Sequence, residues 1–425
     1  MTVLRIGHSL RPSGGRGYRI IGGRTCRPQA GTLRPFEGGT ILDAIYLDNA
    51  ATSWPKPDAV IEAMIRHQRM VGGSPGRSGH RLSIEAGRAV YGVRETIARL
   101  FHIADPLRIV FTKNSTEALN IALLGLLKPG DHVVTTGMEH NSVMRPLRFL
   151  ASHGVELTVV ACSPRGDLDP GDIRRALRPN TRAVVLTHAS NVTGTIMPVQ
   201  EVAAIARERD IVTCVDAAQT AGVLPIDVEM MAIDLLAFTG HKSLFGPQGT
   251  GGLYIRKGLD DRISPLMRGG TGSRSEFEEQ PDFMPDKYEA GTPNAPGLAG
   301  LAAGTAFVLA KGPERIHARE KALARRFLNH LEALDGDATI YGPRDMETRT
   351  SVVSFNLRDI VPSDAALFFD ERFGILCRPG LHCAPAAHRT IGSFPQGTIR
   401  FSFGFFNTEA EVDLAAEAVV RLLQR

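Results

Sequence analysis

The sequence predicts an α/β fold, in which a large domain with a mostly parallel sheet precedes a small α+β C-terminal domain. Between about residues 90 and 260, short apolar and β-branched runs alternate with longer helical patterns. These runs are nearly all apolar rather than alternating, as expected for strands buried on both faces of a parallel sheet. At roughly 100–200 residues per domain, the 425 residues suffice for two or three domains, which excludes a lone small binding module.

Strand and helix patterns alternate in order along the large domain. The predicted pairs are a strand at 108–112 with a helix at 117–127, a strand at 132–136 with a helix at 142–152, and a strand at 183–187 with a helix at 199–209, followed by strands at 211–215 and 235–238. Each helix is long enough to connect one parallel strand to the next. This order indicates a layered α/β domain.

The chain beyond residue 268 has a different pattern. A loop rich in Gly, Pro and acidic residues covers 268–296, and the helical pattern after it runs to about residue 334 with an interruption at Gly312-Pro313. The remaining predicted elements are a strand at 351–356, a Pro/Gly-rich loop at 378–397, a strand at 398–403 and a helix from residue 409. We therefore expect an N-terminal extension (1–44), a large domain (45–300) and a small domain (301–425).

The first 40 residues differ from the rest in charge. They contain seven arginines and one acidic residue, whereas the other 385 residues contain 42 basic and 44 acidic residues. The segment has no helical or alternating apolar pattern, so we expect a flexible extension, with a transit peptide or a misassigned start codon as alternatives. Because the body is nearly neutral, its charge gives no reason to expect a nucleic-acid partner.

The five cysteines and the hydropathy pattern limit the cellular setting. The cysteines are widely spaced without a C-x-x-C pair, which argues against a disulfide framework or a cysteine-rich metal site. No apolar run approaches the roughly 18 residues of a membrane-spanning helix. We therefore expect a cytoplasmic protein with no metal and no membrane partner.

Polar residues cluster just after four predicted strands, where open α/β sheets bind their ligands. The four clusters are 112–117, 187–191, 216–219 and 239–243. The first leads directly into a helix, whose free N–H groups favour an anion such as phosphate. Ordinary capping of that helix by Asn114 or Ser115 is the alternative interpretation.

One cofactor requires all four strand ends together. Pyridoxal phosphate needs a phosphate cradle, an acid for its ring nitrogen, polar partners for its phenolic oxygen and a lysine that forms a Schiff base. Asp216 is a candidate for the acid, and Lys242, which is 26 residues later, for the lysine. The Gly-His-Lys-Ser string at 240–243 is not a P-loop, because no glycine immediately precedes Lys242.

Several strings resemble the class V aminotransferase-fold family. They are Tyr46-Leu47-Asp48-Asn49-Ala50-Ala51-Thr52, Glu139-His140-Asn141-Ser142, Val215-Asp216-Ala217-Ala218-Gln219, Gly240-His241-Lys242 and Glu289-Ala290-Gly291-Thr292-Pro293. The segment Arg378-Pro379-Gly380-Leu381-His382-Cys383-Ala384 resembles the cysteine desulfurase and selenocysteine lyase branch, in the group with a short cysteine loop. The resemblance implies fold type I of the pyridoxal-phosphate-dependent transferases, with a mostly parallel seven-stranded sheet in the large domain.

The resemblance also implies a role for individual residues. The family's contacts to the cofactor ring fall on His140, which stacks on it, and on Asn191, Asp216, Gln219 and Lys242. Its phosphate contacts fall on Ser115, Thr116, Thr239 and His241, with Thr292 reaching the phosphate of a neighbouring subunit. Its substrate contacts fall on Ala50, Asn191 and Arg400. The contact by Thr292 implies a homodimer.

Two of these residues have a simpler interpretation. His140 alone could be a helix cap or a surface histidine, and Arg400, within an apolar strand, could form a structural ion pair. A guanidinium nevertheless suits the bidentate binding of a substrate carboxylate.

The cysteines near the C-terminus decide between possible reactions. Cys377 follows a strand-like run and is predicted to be a packed residue. Cys383 lies in a Gly/Pro-bounded loop five residues after Arg378, whose charge favours a thiolate. We predict that Cys383 is a nucleophile, with an uninvolved surface cysteine as the alternative.

The predicted activity is that of a pyridoxal-phosphate-dependent cysteine desulfurase or selenocysteine lyase. Lys242 would remove the Cα proton, and Cys383 would attack the substrate sulfur, leaving alanine and a persulfide. An aminotransferase, epimerase or β-lyase that does not use Cys383 is the first alternative, and a non-catalytic pyridoxal-phosphate-binding regulator is a remote one. A sulfur-acceptor protein is a further candidate partner.

Overall fold

The computed structural model describes residues 44–76 and 78–425. Its strands are β1 (Ile45–Tyr46), β2 (Ile109–Thr112), β3 (His132–Thr136), β4 (Glu156–Val160), β5 (Thr181–Thr187), β6 (Val212–Asp216), β7 (Leu235–Thr239), β8 (Gly251–Ile255), β9 (Ala338–Tyr341), β10 (Val352–Leu357), β11 (Ile375–Leu376), β12 (Arg378–Gly380) and β13 (Thr398–Ser402). Its α-helices are α1 (Asp58–Arg66), α2 (Arg81–Leu100), α3 (Ser115–Leu126), α4 (Asn141–Ala151), α5 (Pro170–Ala176), α6 (Val199–Arg207), α7 (Ala295–Lys311), α8 (Pro313–Glu332), α9 (Pro362–Phe373), α10 (Pro385–Thr390) and α11 (Glu409–Leu423). The predicted extension and Cys26 lie outside the described residues.

The central sheet has seven strands in the spatial order β2-β8-β7-β6-β5-β3-β4. Strand β8 pairs antiparallel with both of its neighbours, whereas every other adjacent pair is parallel. The expected mostly parallel, seven-stranded sheet is therefore confirmed. Every residue of β3, β6, β7 and β8 is buried, because apolar side chains and helices cover both faces.

Two of the seven strands were not identified from the sequence. Strand β4 lies at one edge, and all but one of its residues are only partly buried or exposed. Strand β8 begins with two glycines, a residue type that weakens strands. Close packing requires these two glycines, because a Cβ on Gly251 would lie 2.8 Å from the Asn114 Cα and one on Gly252 would lie 2.4 Å from the Phe238 ring.

The C-terminal part contains a four-stranded antiparallel sheet in the order β12-β13-β10-β9. Its apolar core includes phenylalanines of β10, β13 and α8. The predicted interruption of the long helix is confirmed, since Gly312, which has a positive φ of 84°, separates the end of α7 from the start of α8. The division into domains at residue 300, which lies within α7, stays a prediction.

The predicted loop at 378–397 is not a simple loop. It contains β12 and the short helix α10. The sequence analysis missed both elements because proline is typical of loops, whereas here Pro379 lies within the strand and Pro385 is the first residue of the helix.

The segment from Ile45 to Lys56 connects the two sheet regions. Strand β1 pairs with β11, and the Asn49 amide then donates to the Ser402 carbonyl of the four-stranded sheet. A few residues later, the Ser53 amide donates to the His241 carbonyl, just beyond β7 of the central sheet. This segment therefore borders the carboxyl ends of the central strands.

Candidate active site

A cavity of about 260 Å³ lies at the carboxyl ends of the central strands, beside the four-stranded sheet. The predicted site residues that line it are Ala50, Ser115, Thr116, His140, Asn191, Asp216, Gln219, Thr239, His241, Lys242 and Arg400. Two residues that the sequence analysis did not assign to a ligand, Arg378 and His382, line it as well. Residues that are up to 350 positions apart in the sequence are thus brought to one site.

Asp216 is the last residue of β6, and its carboxylate is buried. Its Oδ1 accepts hydrogen bonds from the Ser115 hydroxyl and the Ala218 amide, both at 3.0 Å. Burial raises the pKa of Asp216, while these hydrogen bonds and the charge of Lys242 oppose the rise. A buried carboxylate of this kind is stabilised by a protonated ring nitrogen placed against it.

Lys242 lies three residues beyond the end of β7, and burial lowers the pKa of its amine to about 8. This value includes the opposing effect of Asp216, which raises the pKa, and the charges of Arg400 and Arg378, which lower it. A substantial fraction of the amine is therefore neutral near pH 7.5. A neutral amine can attack a carbonyl carbon or accept a proton, whereas an ammonium group can do neither.

His140 acts as a helix cap and also lines the cavity. Its Nδ1 accepts a hydrogen bond from the Ser142 amide at 3.1 Å and forms another with the Ser142 hydroxyl at 2.8 Å, which caps α4. Burial lowers the pKa of His140 to about 4, and the charges of Lys242 and Arg378 add to this effect. The ring is therefore neutral, with its proton on Nε2, and presents an uncharged aromatic face.

Near the start of α3, two of the side chains that line the cavity have polar atoms without a partner among the described residues. They are the Thr239 Oγ1 and the His241 Nδ1, and both atoms are buried. The start of α3 borders the same cavity, and Asn114 caps this helix by accepting a hydrogen bond from the Glu117 amide. Unpaired donors beside a helix start suit a phosphate group.

Ser115 has a different contact from the one that the resemblance implies. Its hydroxyl donates to Asp216 rather than pointing to an unpaired region of the cavity. Thr116 instead forms a hydrogen bond with the Ser142 hydroxyl at 2.7 Å, next to His140. The capping of α3 by Asn114 is therefore observed, Ser115 and Thr116 line the cavity, and phosphate binding at this helix start stays a prediction.

The guanidinium group of Arg400 is held in a fixed orientation beside the cavity. Arg400 is 1% exposed, donates to the Asn191 carbonyl at 3.1 Å and pairs with the Asp48 carboxylate at 2.5 Å. Its Nε has no partner among the described residues. Arg378 lies directly opposite Arg400 in the β12–β13 pair. The ion pair that the sequence analysis offered for Arg400 is therefore observed. Arg378 and Arg400 both line the cavity, and two guanidinium groups there suit a substrate carboxylate.

Asn191 and Gln219 link the cavity wall to neighbouring segments. The Asn191 amide group donates to the His382 carbonyl at 2.8 Å, next to the cysteine loop. The Gln219 amide group donates to the Ala50 carbonyl at 3.0 Å. These contacts connect the ends of β5 and β6 to the segments at 46–56 and 378–384.

Cys383 lies at the mouth of the cavity. It is exposed in a groove whose lining also includes Thr116 and His140, two residues that line the cavity. The Arg378 guanidinium donates to the Cys383 sulfur at 3.4 Å. Both His382 and Cys383 have a positive φ, 48° and 58°, which is strained for residues other than glycine and is typical of functional sites.

Cys377 behaves as the sequence predicts. It packs against the core of the four-stranded sheet, and burial raises the pKa of its thiol. Thr292 lies outside the cavity, in a separate pocket that also contains Lys113 and Gly249.

A model of the family "Aminotransferase class-V" matches residues 45–414. The chain belongs to this family. It is 36% identical over 385 residues to a probable cysteine desulfurase of Methanothermobacter thermautotrophicus, covering 89% of this chain and 94% of that one. It is 37% identical over 379 residues to a probable cysteine desulfurase of Pyrococcus abyssi, covering 87% and 92%.

The fold is also similar to solved structures. An apo cysteine desulfurase from Thermococcus onnurineus superimposes with a TM-score of 0.83 at 36% identity, over 90% of this chain and 95% of that one. Class V aminotransferases and cysteine desulfurases depend on pyridoxal phosphate, which confirms the predicted cofactor. The cavity fits pyridoxal phosphate, because it brings together unpaired polar atoms of Thr239 and His241, the buried carboxylate of Asp216 and the buried amine of Lys242.

Three features of this class V site escaped the sequence analysis. They are the position of Arg378 opposite Arg400, the identity of Asp48 as the ion-pair partner of Arg400, and the place of His382 in the cavity wall. Asp48 and His382 lie within strings that carry the family resemblance, so those strings were the available signal. Among the described residues, no helix combines the length and apolarity needed to cross a bilayer.

Proposed function

We propose that this protein is a pyridoxal-phosphate-dependent cysteine desulfurase that converts L-cysteine to L-alanine and transfers the sulfur to Cys383. The proposal rests on the contact of Arg378 with the Cys383 sulfur at the mouth of the cavity that contains Lys242. The names of its relatives support it. Selenocysteine is the alternative substrate for the same residues.

The cofactor is held by the residues that line the cavity. His140, Asp216, Gln219 and Lys242 line the cavity and would contact its ring, and Thr116, Thr239 and His241 would bind its phosphate. Bound pyridoxal phosphate supplies an electron-withdrawing ring that stabilises negative charge at the substrate Cα. Asp216 strengthens this effect by holding a proton on the ring nitrogen.

Arg400 and Lys242 divide the work on the amino acid. Arg400 binds the substrate carboxylate, because Asp48 and the Asn191 carbonyl fix its guanidinium while Nε stays without a partner. The neutral Lys242 Nζ takes the Cα proton and later returns a proton to that carbon. A substrate anchored at its carboxylate can present its sulfur to the mouth of the cavity.

Cys383 receives the sulfur. The Cys383 sulfur accepts a hydrogen bond from the Arg378 guanidinium and, as a thiolate, attacks the sulfur of the substrate. The bond between this sulfur and Cβ breaks with its electron pair on carbon, and an S–S bond forms on Cys383. Cβ gains a proton that balances the one lost by the Cys383 thiol, so alanine and a persulfide result.

The proposed function is tested by incubating the purified protein with cysteine, and separately with selenocysteine, and measuring alanine. We expect alanine from cysteine and persulfide on the protein. Alanine from selenocysteine alone would identify a selenocysteine lyase. Pyruvate or exchange of the amino group, without alanine from either substrate, would contradict the proposal and favour the β-lyase or aminotransferase alternative.

The active form is proposed to be a homodimer. Thr292 lies outside the cavity of its own chain, so its phosphate contact requires a second subunit. The first helices also expose large apolar side chains, namely Ile61, Ile65, Met70, Leu82 and Tyr91. Light scattering is expected to give twice the mass of one chain, and a fully active monomer would contradict the proposal. A sulfur-acceptor protein could reach the exposed Cys383 directly.

Asp216→Asn is expected to lower the rate of alanine formation by about two to three orders of magnitude, because a positioned charge is lost while the shape is kept. Steady-state alanine assays measure the effect. The matched control is Asp234→Asn, which removes another buried carboxylate, paired with Arg256 outside the cavity. This control should reduce stability rather than turnover. Near-normal turnover of Asp216→Asn would refute the role given to this carboxylate.

A further inference from the structure

An unusual set of donors converges on the peptide bond that precedes Lys242. The carbonyl oxygen of His241 accepts from the Lys56 ammonium at 2.6 Å, from the Thr52 hydroxyl at 3.0 Å and from the Ser53 amide at 3.1 Å. The next carbonyl, that of Lys242 itself, accepts from the Ser53 hydroxyl at 2.8 Å. All of these donors belong to one short segment, residues 52–56.

Lys56 is the charged member of this set. Its ammonium also donates to the Ser53 hydroxyl at 2.8 Å, and it has no acidic partner among the described residues. Burial lowers the pKa of Lys56 to about 8, because the charged ammonium loses part of its hydration. A partly buried cation placed on a carbonyl oxygen forms a charge-assisted hydrogen bond, which is stronger than a neutral one.

The backbone that follows Lys242 is also closely packed, against two glycines. A Cβ on Gly222 would lie 2.3 Å from the Ser243 carbonyl oxygen, and one on Gly304 would lie 2.3 Å from that of Leu244. The Lys242 carbonyl also accepts from the Phe245 amide at 2.8 Å. The backbone around Lys242 is thus fixed from two sides, and residues 52–56 supply one of them.

We propose that Lys56 is a positioning residue for Lys242, which acts by holding the carbonyl oxygen of His241. The carbonyl and the Lys242 amide belong to one planar peptide unit. Fixing the oxygen therefore fixes the direction in which the Cα of Lys242, and with it the side chain, leaves that unit. The inference rests on the proposed function of Lys242 and adds a residue outside the cavity lining to the machinery.

The positioning role predicts a loss of rate without a loss of stability. In Lys56→Met, the His241 carbonyl keeps its bonds from Thr52 and Ser53, and a partly buried charge is removed, so the melting temperature should be unchanged or higher. The kcat for alanine formation should fall about tenfold, the equivalent of one charge-assisted hydrogen bond, with the KM for cysteine within about twofold. A purely structural lysine would instead lower the melting temperature on replacement and leave kcat unchanged.

A second readout does not depend on turnover. Protein freed of cofactor is mixed with pyridoxal phosphate, and borohydride trapping at successive times gives the rate of covalent attachment to Lys242. Lys56→Met should attach the cofactor about tenfold more slowly, and Lys56→Arg, which keeps the charge, should recover most of the rate. Lys128→Met, which replaces an exposed lysine, is the control and should match the unmodified protein.

Lys56→Gln provides a second test if Lys56→Met does not fold, because the amide keeps a neutral donor. Attachment and kcat within about twofold of the unmodified protein in whichever of these variants folds would overturn the proposal. So would a Lys56→Arg variant as slow as Lys56→Gln. Failure of the unmodified protein to attach the cofactor at Lys242 would instead refute the proposed function, so the two failures are distinguishable.

Discussion

Lys242→Ala is expected to abolish covalent attachment of pyridoxal phosphate and to reduce alanine formation by at least about 10²–10⁴-fold, the typical contribution of a positioned acid–base group. In the proposed mechanism the buried amine, whose pKa is lowered to about 8, both attaches the cofactor and moves the Cα proton. Borohydride reduction followed by mass spectrometry measures attachment, and an alanine assay measures turnover.

The exposed Lys257 offers a matched control for this substitution. Lys257→Ala should keep both attachment and turnover, because the residue lies outside the cavity. A borohydride-stable link that persists in Lys242→Ala at full stoichiometry would assign the cofactor to another lysine. It would also remove the basis for the proposed proton transfer.

Cys383→Ser is expected to stop the release of alanine from cysteine while leaving cofactor binding intact. Cys383 does not line the cofactor cavity, so Lys242 and Asp216 can still bind the ring and exchange the Cα proton. A serine hydroxyl cannot replace the anionic sulfur that attacks the substrate. Exchange of the Cα proton with deuterium, followed by NMR, should persist in the variant, whereas alanine formation should be undetectable.

Cys377→Ser is the matched control for the cysteine prediction. Because Cys377 packs against the core of the four-stranded sheet, its replacement should reduce stability and spare sulfur transfer. The reverse pattern would identify Cys377 as the nucleophile. Full activity in both variants would favour the β-lyase or aminotransferase alternative. Residual activity of Cys383→Ser toward selenocysteine is compatible with the proposal, since selenium can leave without thiol attack.

The order of elements could be predicted from the sequence because buried parallel strands are nearly all apolar rather than alternating. Strands such as His132–Thr136 and Leu235–Thr239 therefore stood out, and the residues after them identified the cavity. Strand β4 was missed because most of its residues are exposed or only partly buried, and β8 because it begins with two glycines, which its close packing requires. The two elements within 378–397 were missed because proline interrupts both patterns.

The contacts within the site depend on how distant strands align with one another, and this alignment cannot be predicted from a single sequence. Arg378 and Arg400 face each other only because β12 and β13 pair in one particular alignment. Similarly, Ser115 bonds to Asp216, 101 residues away, rather than to an open phosphate position. The family strings indicated which residues matter, and the folded chain determined which atoms they touch.

The central claim is that Cys383 takes the sulfur, and mass spectrometry after a single turnover tests it most directly. The cofactor-loaded protein is mixed with less than one equivalent of cysteine, alkylated, digested and sequenced by mass. The account predicts the added mass of one sulfur atom on the peptide that contains Cys383, in proportion to the alanine released, and none on the peptide that contains Cys377. Alanine released with no added sulfur on Cys383, or with the sulfur on another cysteine, would contradict it.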